Sequence, residues 1–308
     1  MANLQVKLSN IKHLVLSGGG LLGISYIGLL KYLEENNIRH QIESITSCSA
    51  GSIFGTLFML DYSSQEIETL IKSLDFKQFL NINIDTILKF PQTKGLDSAN
   101  KLTDFFKKII KDKTGNENTT FEELYQKTNK ILQIGTTNLT SVKFELFNYK
   151  TQPTIPIYLA IRASIAIPII FEPVIIGNDV YCDGGVIDNL PMEGALSLAE
   201  LICEISENNK GREKCLESIL SVFLRSTFQP IYSNNLSTIT IHHFIDIVSH
   251  AMNNGHILNN YRNKYLDQTL IIDIPVDIMT FLKISASHDD IDNIIQIAYD
   301  TSKQKLKL

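Results

Sequence analysis

The 308-residue chain has only four cysteines, Cys48, Cys182, Cys203 and Cys215. No two of them form a C-x-x-C pair, which argues against a structural zinc site and leaves reduced thiols as the simplest state. Basic charge is also scarce. The net charge of −5 and pI of about 5.8 provide no field for nucleic acid. The first residues, Met1 to Leu8, contain no apolar h-region, so no secretory signal is expected. A long unbroken apolar run is missing as well. Leu14 to Leu30 carries no charge, but Gly18, Gly19, Gly20, Gly23 and Gly28 interrupt it, and it falls short of the ~20 residues a span needs. The expectation is a cytoplasmic protein, or one peripheral at a membrane, without a transmembrane segment. Neither an internal repeat nor a low-complexity tract is visible.

With 44% hydrophobic and 20% charged residues, the chain can bury a sizeable core. His13 to Leu16 reads as a buried strand, followed by a glycine loop and a helix from Ile24 to Glu35. A second strand ends near Cys48, and Ile53 to Met59 is helical. Ser63 or Ser64 suits a helix cap. Residues 77 to 96, with Pro91 and little periodicity, read as an irregular connector. Asp97 or Ser98 suits the cap of a helix whose apolar face is Leu102, Phe105, Phe106, Ile109 and Ile110. Its lysines suggest a solvated face, or contact with anionic lipid. Phe121 to Gln126 reads as helix, Ile131 to Thr136 and Lys143 to Tyr149 as strands, and Pro156 to Ser164 as helix. An apolar turn region, 165–173, precedes a hairpin of Val174 to Ile176 and Val180 to Cys182, and Pro191 opens another helix. Further on, Ile219 to Leu224 and Leu270 to Pro275 read as strands, and His242 to Asn259 and Asp289 to Lys303 as helices. The alternation implies an α/β protein with a mostly parallel sheet and helices on both faces. Residues 8–205 are expected to form the core, and 206–308 to continue on the same domain.

Ile42 to Ser52 has the layout of a nucleophile elbow: a strand, a sharp turn with Ser49 at its tip, and a helix. The turn demands small neighbours, which Ala50 and Gly51 supply. Ser47 replaces the first glycine of G-x-S-x-G. Cys48 adjoins the tip, but at an elbow the neighbour points elsewhere.

Gly18, Gly20 and Gly23 match G-x-G-x-x-G between a strand and a helix, a dinucleotide-binding pattern. The acidic residue that a ribose needs at the next strand end is replaced by Ser47-Cys48-Ser49. An oxyanion hole is the competing reading. Bare amides of Gly18, Gly19 and Gly20, with that of Ala50, can hold a tetrahedral oxyanion, each donor being worth roughly 10²–10³ in rate. Gly28, and in part Gly23, read as packing positions.

Ser49 requires a proton acceptor. A triad would take Asp183 or Asp188 with His242, His243, His250 or His256, but too few strands precede the elbow for an α/β-hydrolase. A zinc site from these histidines lacks a carboxylate or thiol at ligand spacing, so no metal is expected. A Ser49–Asp183 dyad is favoured. Asp183 ends a strand, and Gly184 and Gly185 leave its carboxylate uncrowded. Asp188 reads as turn and cap chemistry.

Taken together, Ser17 to Gly23, Ser47 to Ser52, Arg162 to Pro168 and Tyr181 to Pro191 resemble the patatin-like phospholipases over roughly residues 12–195. The resemblance implies a three-layer sandwich around a mostly parallel sheet. It implies Ser49 as nucleophile, Asp183 as base without histidine, and the glycine loop as oxyanion hole. It also implies hydrolysis of fatty acyl esters of phospholipids or other lipids, with no cofactor. Two departures stand out: Leu22 where the family usually carries Arg or Lys, and Ser47 where it carries Gly. They motivate an alternative, a catalytically weak or inactive lipid-binding protein on the same scaffold. A nucleotide-dependent oxidoreductase is a third reading.

Overall fold

The computed structural model describes residues 7–79, 82–202, 209–227, 264–275 and 287–306. All four residues of strand β1 (His13–Leu16) are buried, as a central parallel strand requires. Leu14 and Leu16 enter one hydrophobic cluster and Val15 the other, so this strand separates two helical layers.

The remaining strands of the main sheet are β2 (Ser44–Cys48), β4 (Ile131–Asn138), β5 (Lys143–Phe147), β7 (Val174–Ile176), β8 (Asp179–Asp183), β9 (Ile219–Ser226) and β10 (Thr269–Ile274). Their order is β10-β9-β1-β2-β4-β8-β7, with β5 also paired to β4. From β10 to β4 every pairing is parallel. The pairings of β4 with β5, β4 with β8 and β8 with β7 are antiparallel. The sheet is therefore mixed but mostly parallel.

Larger cluster packing involves helices α1 (Tyr26–Glu35), α2 (Ala50–Met59), α3 (Ser64–Lys72), α5 (Asn100–Thr114), α6 (Phe121–Thr128), α7 (Ile157–Ser164) and α10 (His288–Lys305). The opposite layer contains α8 (Met192–Ile202) and Cys215 of α9 (Asn209–Glu217). Phe106, Ile109 and Ile110 of α5 are buried, and Leu102 and Phe105 pack beside them. The apolar face of that helix thus points inward.

One edge of β4 has two partners in succession. Cys48 of β2 pairs with Gly135. Asp183 of β8 pairs with Thr136, the next residue. Because β5 pairs with both parts of β4, it occupies the other edge. The C-terminal ends of β2 and β8 therefore meet head to head, and this junction positions the candidate site.

Three local readings change. Residues 84–93 are a helix, α4 (Ile84–Thr93), not an irregular connector. Asn83 caps it by accepting the amides of Asp85 and Thr86, and Thr86 Oγ1 accepts the Asn83 amide. Pro91 lies in the last turn, where its missing N–H costs one bond. Neither Asp97 nor Ser98 occupies the cap position of α5. Ala99 does, and Asp97 Oδ1 accepts the Ala99 amide. The apolar stretch after Ser164 contains a short strand, β6 (Ile169–Phe171), paired in parallel with β3 (Gly95–Asp97). The expected helix from His242 to Asn259 lies outside the described residues.

Gly28 marks the crossing of α1 and α10. A Cβ there would lie 2.1 Å from Ile295 O and 2.7 Å from Tyr299 N. Helix propensity alone favours alanine by about 1 kcal/mol. The backbone clash outweighs it, so Gly28→Ala is expected to lower stability by about 1–3 kcal/mol in urea denaturation.

Candidate active site

Because β2 and β8 end at neighbouring positions on β4, the residue after Cys48 faces the last residue of β8. Ser49 Oγ donates to Asp183 Oδ2 at 2.7 Å, and both residues are buried. Ser49 adopts φ 48° and ψ −124°, a sparsely populated conformation for a residue with a Cβ. Such strain costs about 1–3 kcal/mol and persists only where the surroundings hold it.

Those surroundings are specific. The Ser49 amide donates to Ser164 Oγ at 2.8 Å, and Ser164 Oγ donates to Gly135 O at 2.7 Å. Two residues further on, Ala166 O accepts the Asp183 amide at 2.9 Å. The end of α7 thus fastens the backbones of both candidate residues. A Cβ at Gly51 would meet Leu16 O at 2.4 Å, so only glycine lets α2 start this close to β1. A Cβ at Gly184 would meet Gly135 O at 2.5 Å and Cys48 Sγ at 2.8 Å. The Cys48 thiol therefore points toward Gly184. Burial, reinforced by the Asp183 charge, raises its pKa well above the ordinary value and leaves it unreactive.

The glycine loop lies against Ser49, since a Cβ on Gly18 would come within 2.9 Å of Ser49 Cβ. Gly18 itself has no amide to spare. Its N–H donates to Asn189 O at 3.2 Å, and Asn189 Nδ2 returns a bond to Gly18 O at 3.3 Å. The amides of Gly19, Gly20 and Ala50 have no acceptor among the described residues. Gly18 differs from the expectation for this reason, and serves as the hinge between the loop and Asn189. Gly20 has φ 55°, the left-handed region that glycine tolerates. Gly23 allows the loop to pack on α2, where a Cβ would meet Phe54 Cε2 at 2.8 Å.

Gly185 N donates to Asp183 Oδ1 at 2.7 Å, so both carboxylate oxygens are engaged. Asp188 Oδ1 instead accepts the Leu190 amide, as a turn residue does. Burial pushes the Asp183 carboxyl up from 3.8 to about 6, against the opposing bonds from Ser49 and Gly185. Near neutral pH it is mostly ionised and can accept a proton. His13 is the buried histidine of β1. It bonds Ser44 Oγ at 2.8 Å, and burial lowers its pKa to about 4. His242, His243, His250 and His256 lie outside the described residues.

Both departures are accommodated. Ser47 Oγ donates to Gln133 O at 3.1 Å, and Ser47 Cβ does not crowd α2, since even a Cβ on Gly55 would lie an ordinary 3.5 Å from it. Leu22 is buried in the main core. Beneath the loop, Tyr26 Oη donates to Ser17 O at 2.7 Å, and Ser17 Oγ accepts the Leu224 amide at 3.2 Å. In the sequence, Ser164 and Asn189 stand only inside longer motifs, with no signal that assigns them to the site. Gly135 stands in none of those motifs.

Residues 14–196 match the patatin-like phospholipase family, and the chain belongs to that family. It is 30% identical over 280 residues to uncharacterized protein R571 of Acanthamoeba polyphaga mimivirus, covering 89% of this chain and 86% of that protein. It is 31% identical over 227 residues to the probable lipid hydrolase 463L of Invertebrate iridescent virus 6, covering 73% of each. The fold is shared with VipD from Legionella pneumophila, with TM-score 0.56 at 17% identity, over 96% of this chain and 66% of that one. This chain therefore spans slightly less than two thirds of the VipD chain.

Two stability outcomes follow from this geometry. Ser164→Ala leaves the Ser49 amide and Gly135 O without their buried partner, and is expected to cost about 1–3 kcal/mol in urea denaturation. For Asp183 the folded pKa lies above the unfolded one, so its ionisation opposes folding as pH rises from about 4 through about 6. Asp183→Asn is therefore expected to be the more stable protein at pH 8, by up to about 3 kcal/mol, with the difference vanishing below pH 4.

Proposed function

We propose that the protein is a lipid acyl hydrolase of phospholipase A type, with Ser49 as nucleophile and Asp183 as its general base. The 2.7 Å bond between Ser49 Oγ and Asp183 Oδ2 carries this reading. Ser49 Oγ attacks the ester carbonyl carbon while its proton passes to Asp183. The oxyanion is held by the amides of Gly19, Gly20 and Ala50. Collapse expels the alcohol, which takes the proton from Asp183. Water then attacks the acyl-enzyme, gives a proton to Asp183, and releases the fatty acid as Ser49 is reprotonated. A carboxylate suffices as base because the elbow already holds the hydroxyl against it.

Family membership and the probable lipid hydrolase of Invertebrate iridescent virus 6 support a fatty acyl ester as substrate. We extend the reading to the whole chain as one unit. Strands β9 and β10 share the sheet of the 8–205 core, which supports placing residues 206–308 on the same domain. A lipid-binding protein without turnover is the alternative that Ser47 and Leu22 motivate. A fluorophosphonate probe separates the two, since labelling at Ser49 requires an activated hydroxyl.

Lipid-product mass spectrometry on phospholipid is expected to show free fatty acid with the native chain and none with Ser49→Ala. Asp183→Asn is expected to lose about 10²–10⁴ in rate. Full activity in either variant would contradict the dyad. Activity on a short-chain ester is expected to fall as pH drops through about 6, because Asp183 becomes protonated there. An acid limb unrelated to Asp183 would show its midpoint elsewhere.

A further inference from the structure

Helix α4 carries its apolar residues on the outside. Ile84, Ile87 and Leu88 are 69%, 50% and 68% exposed, and Pro91 is exposed beside them. The spacing i, i+3, i+4, i+7 places all four on one face. Thr86, Phe90 and Thr93, on the opposite face, are the half-buried ones. A soluble helix ordinarily turns its apolar stripe inward. The helix is nevertheless well anchored, by its Asn83 cap and through β3.

This anchorage leads to the candidate site. Strand β3 pairs with β6, and Arg162 donates to both Ser98 O and Glu172 O, at 3.0 and 2.7 Å. Three residues before β6 begins lies Ala166, whose carbonyl accepts the Asp183 amide. Ile169, at the start of β6, is 46% exposed and adopts φ 74°. A β-branched residue in that region is an outlier, and here it displays another apolar side chain. Charge points the same way. Residues 84–113 contain seven lysines against four aspartates, and only Lys111 and Lys113 of these lysines form ion pairs with glutamates, Glu117 and Glu66, among the described residues, in a chain whose net charge is −5. Lys89, Lys94 and Lys101 are exposed.

We infer that the outward face of α4, with Ile84, Ile87, Leu88 and Pro91, docks on the surface of an anionic lipid bilayer. The apolar stripe enters the boundary between headgroups and acyl chains, and the exposed lysines past the end of the helix, Lys94 and Lys101, meet the anionic headgroups. The inference rests on the lipid hydrolase reading for its purpose, but its physical content is binding.

The test uses the full chain in a Ser49→Ala background, so that vesicles are not consumed. Cosedimentation is measured with vesicles of phosphatidylglycerol and phosphatidylcholine in equal parts, and with phosphatidylcholine alone. Ile87→Asp combined with Leu88→Asp is expected to lower partitioning by about tenfold or more. Lys94→Glu combined with Lys101→Glu is expected to weaken binding to the anionic vesicles and to leave phosphatidylcholine binding unchanged. With Ser49 intact, both double variants are expected to hydrolyse a dissolved short-chain ester at the native rate. Circular dichroism serves as the folding control should the native chain lack that activity, an outcome that would overturn the hydrolase reading and leave the vesicle measurement standing. Unchanged partitioning in both double variants overturns the inference. So does a native dimer that the aspartate variant converts to monomer without loss of vesicle binding, because the face would then be a contact between copies of the chain.

Discussion

The site depends on one edge of β4 having two partners in line. Cys48 pairs with Gly135 and Asp183 with Thr136. The strands β2 and β8 run in opposite directions and arrive at this point with their C-terminal ends facing. No loop has to reach across the molecule. The separation of 134 positions between Ser49 and Asp183 is closed by the ladder itself. Rigid strand ends hold two side chains in fixed register more precisely than loops do.

Two costs are concentrated there: the strained backbone at Ser49 and a carboxylate in a buried place. Together they amount to several kcal/mol. A fully buried aliphatic side chain contributes about 1.5–3 kcal/mol, so a few of the many Leu and Ile in the main cluster offset them. Position matters as well as sum. Ser164 and Ala166 hold the two backbones from one short segment, so strain at one partner cannot relax without disturbing the other. Asn189 extends the same linkage to the glycine loop through its paired bonds with Gly18. Ser49, Asp183 and the glycine loop thus share a single support.

Legibility in the sequence followed the range of the cause. The elbow was readable because strand, tip and helix are contiguous, and so was the glycine-flanked Asp183. The register that joins them was not, because nothing local to β4 announces that β8 follows β2 along its edge. Gly135 lies inside an ordinary strand pattern, and its need to be glycine comes from Phe144 across the β4–β5 pairing, whose ring a Cβ would meet at 2.5 Å. Ser164 looked like a helix end. Helix α4 is not legible because Pro91 breaks the expected pattern and, among the described residues, the apolar stripe has no core to face. The free amide of Gly18 was an expectation that one backbone partner removed.

The departures at Ser47 and Leu22 show how such a site tolerates change. Ser47 adds a hydroxymethyl group on the strand side without pressing on α2, where the tight approach at Gly55 is to Ile45 Cγ2, 2.9 Å from a Cβ there, and not to Ser47. The hydroxyl is not left unpaired, since it bonds Gln133 O on the neighbouring strand. Leu22 exchanges a charge for burial, while Ser17 and Tyr26 fasten the loop from beneath with neutral hydrogen bonds. A neutral support suits this place, because a buried cation would need its own partner or would cost several kcal/mol. The amides of Gly19 and Gly20 remain without a protein acceptor among the described residues. The loop can therefore lose the charge and retain the feature that oxyanion chemistry requires.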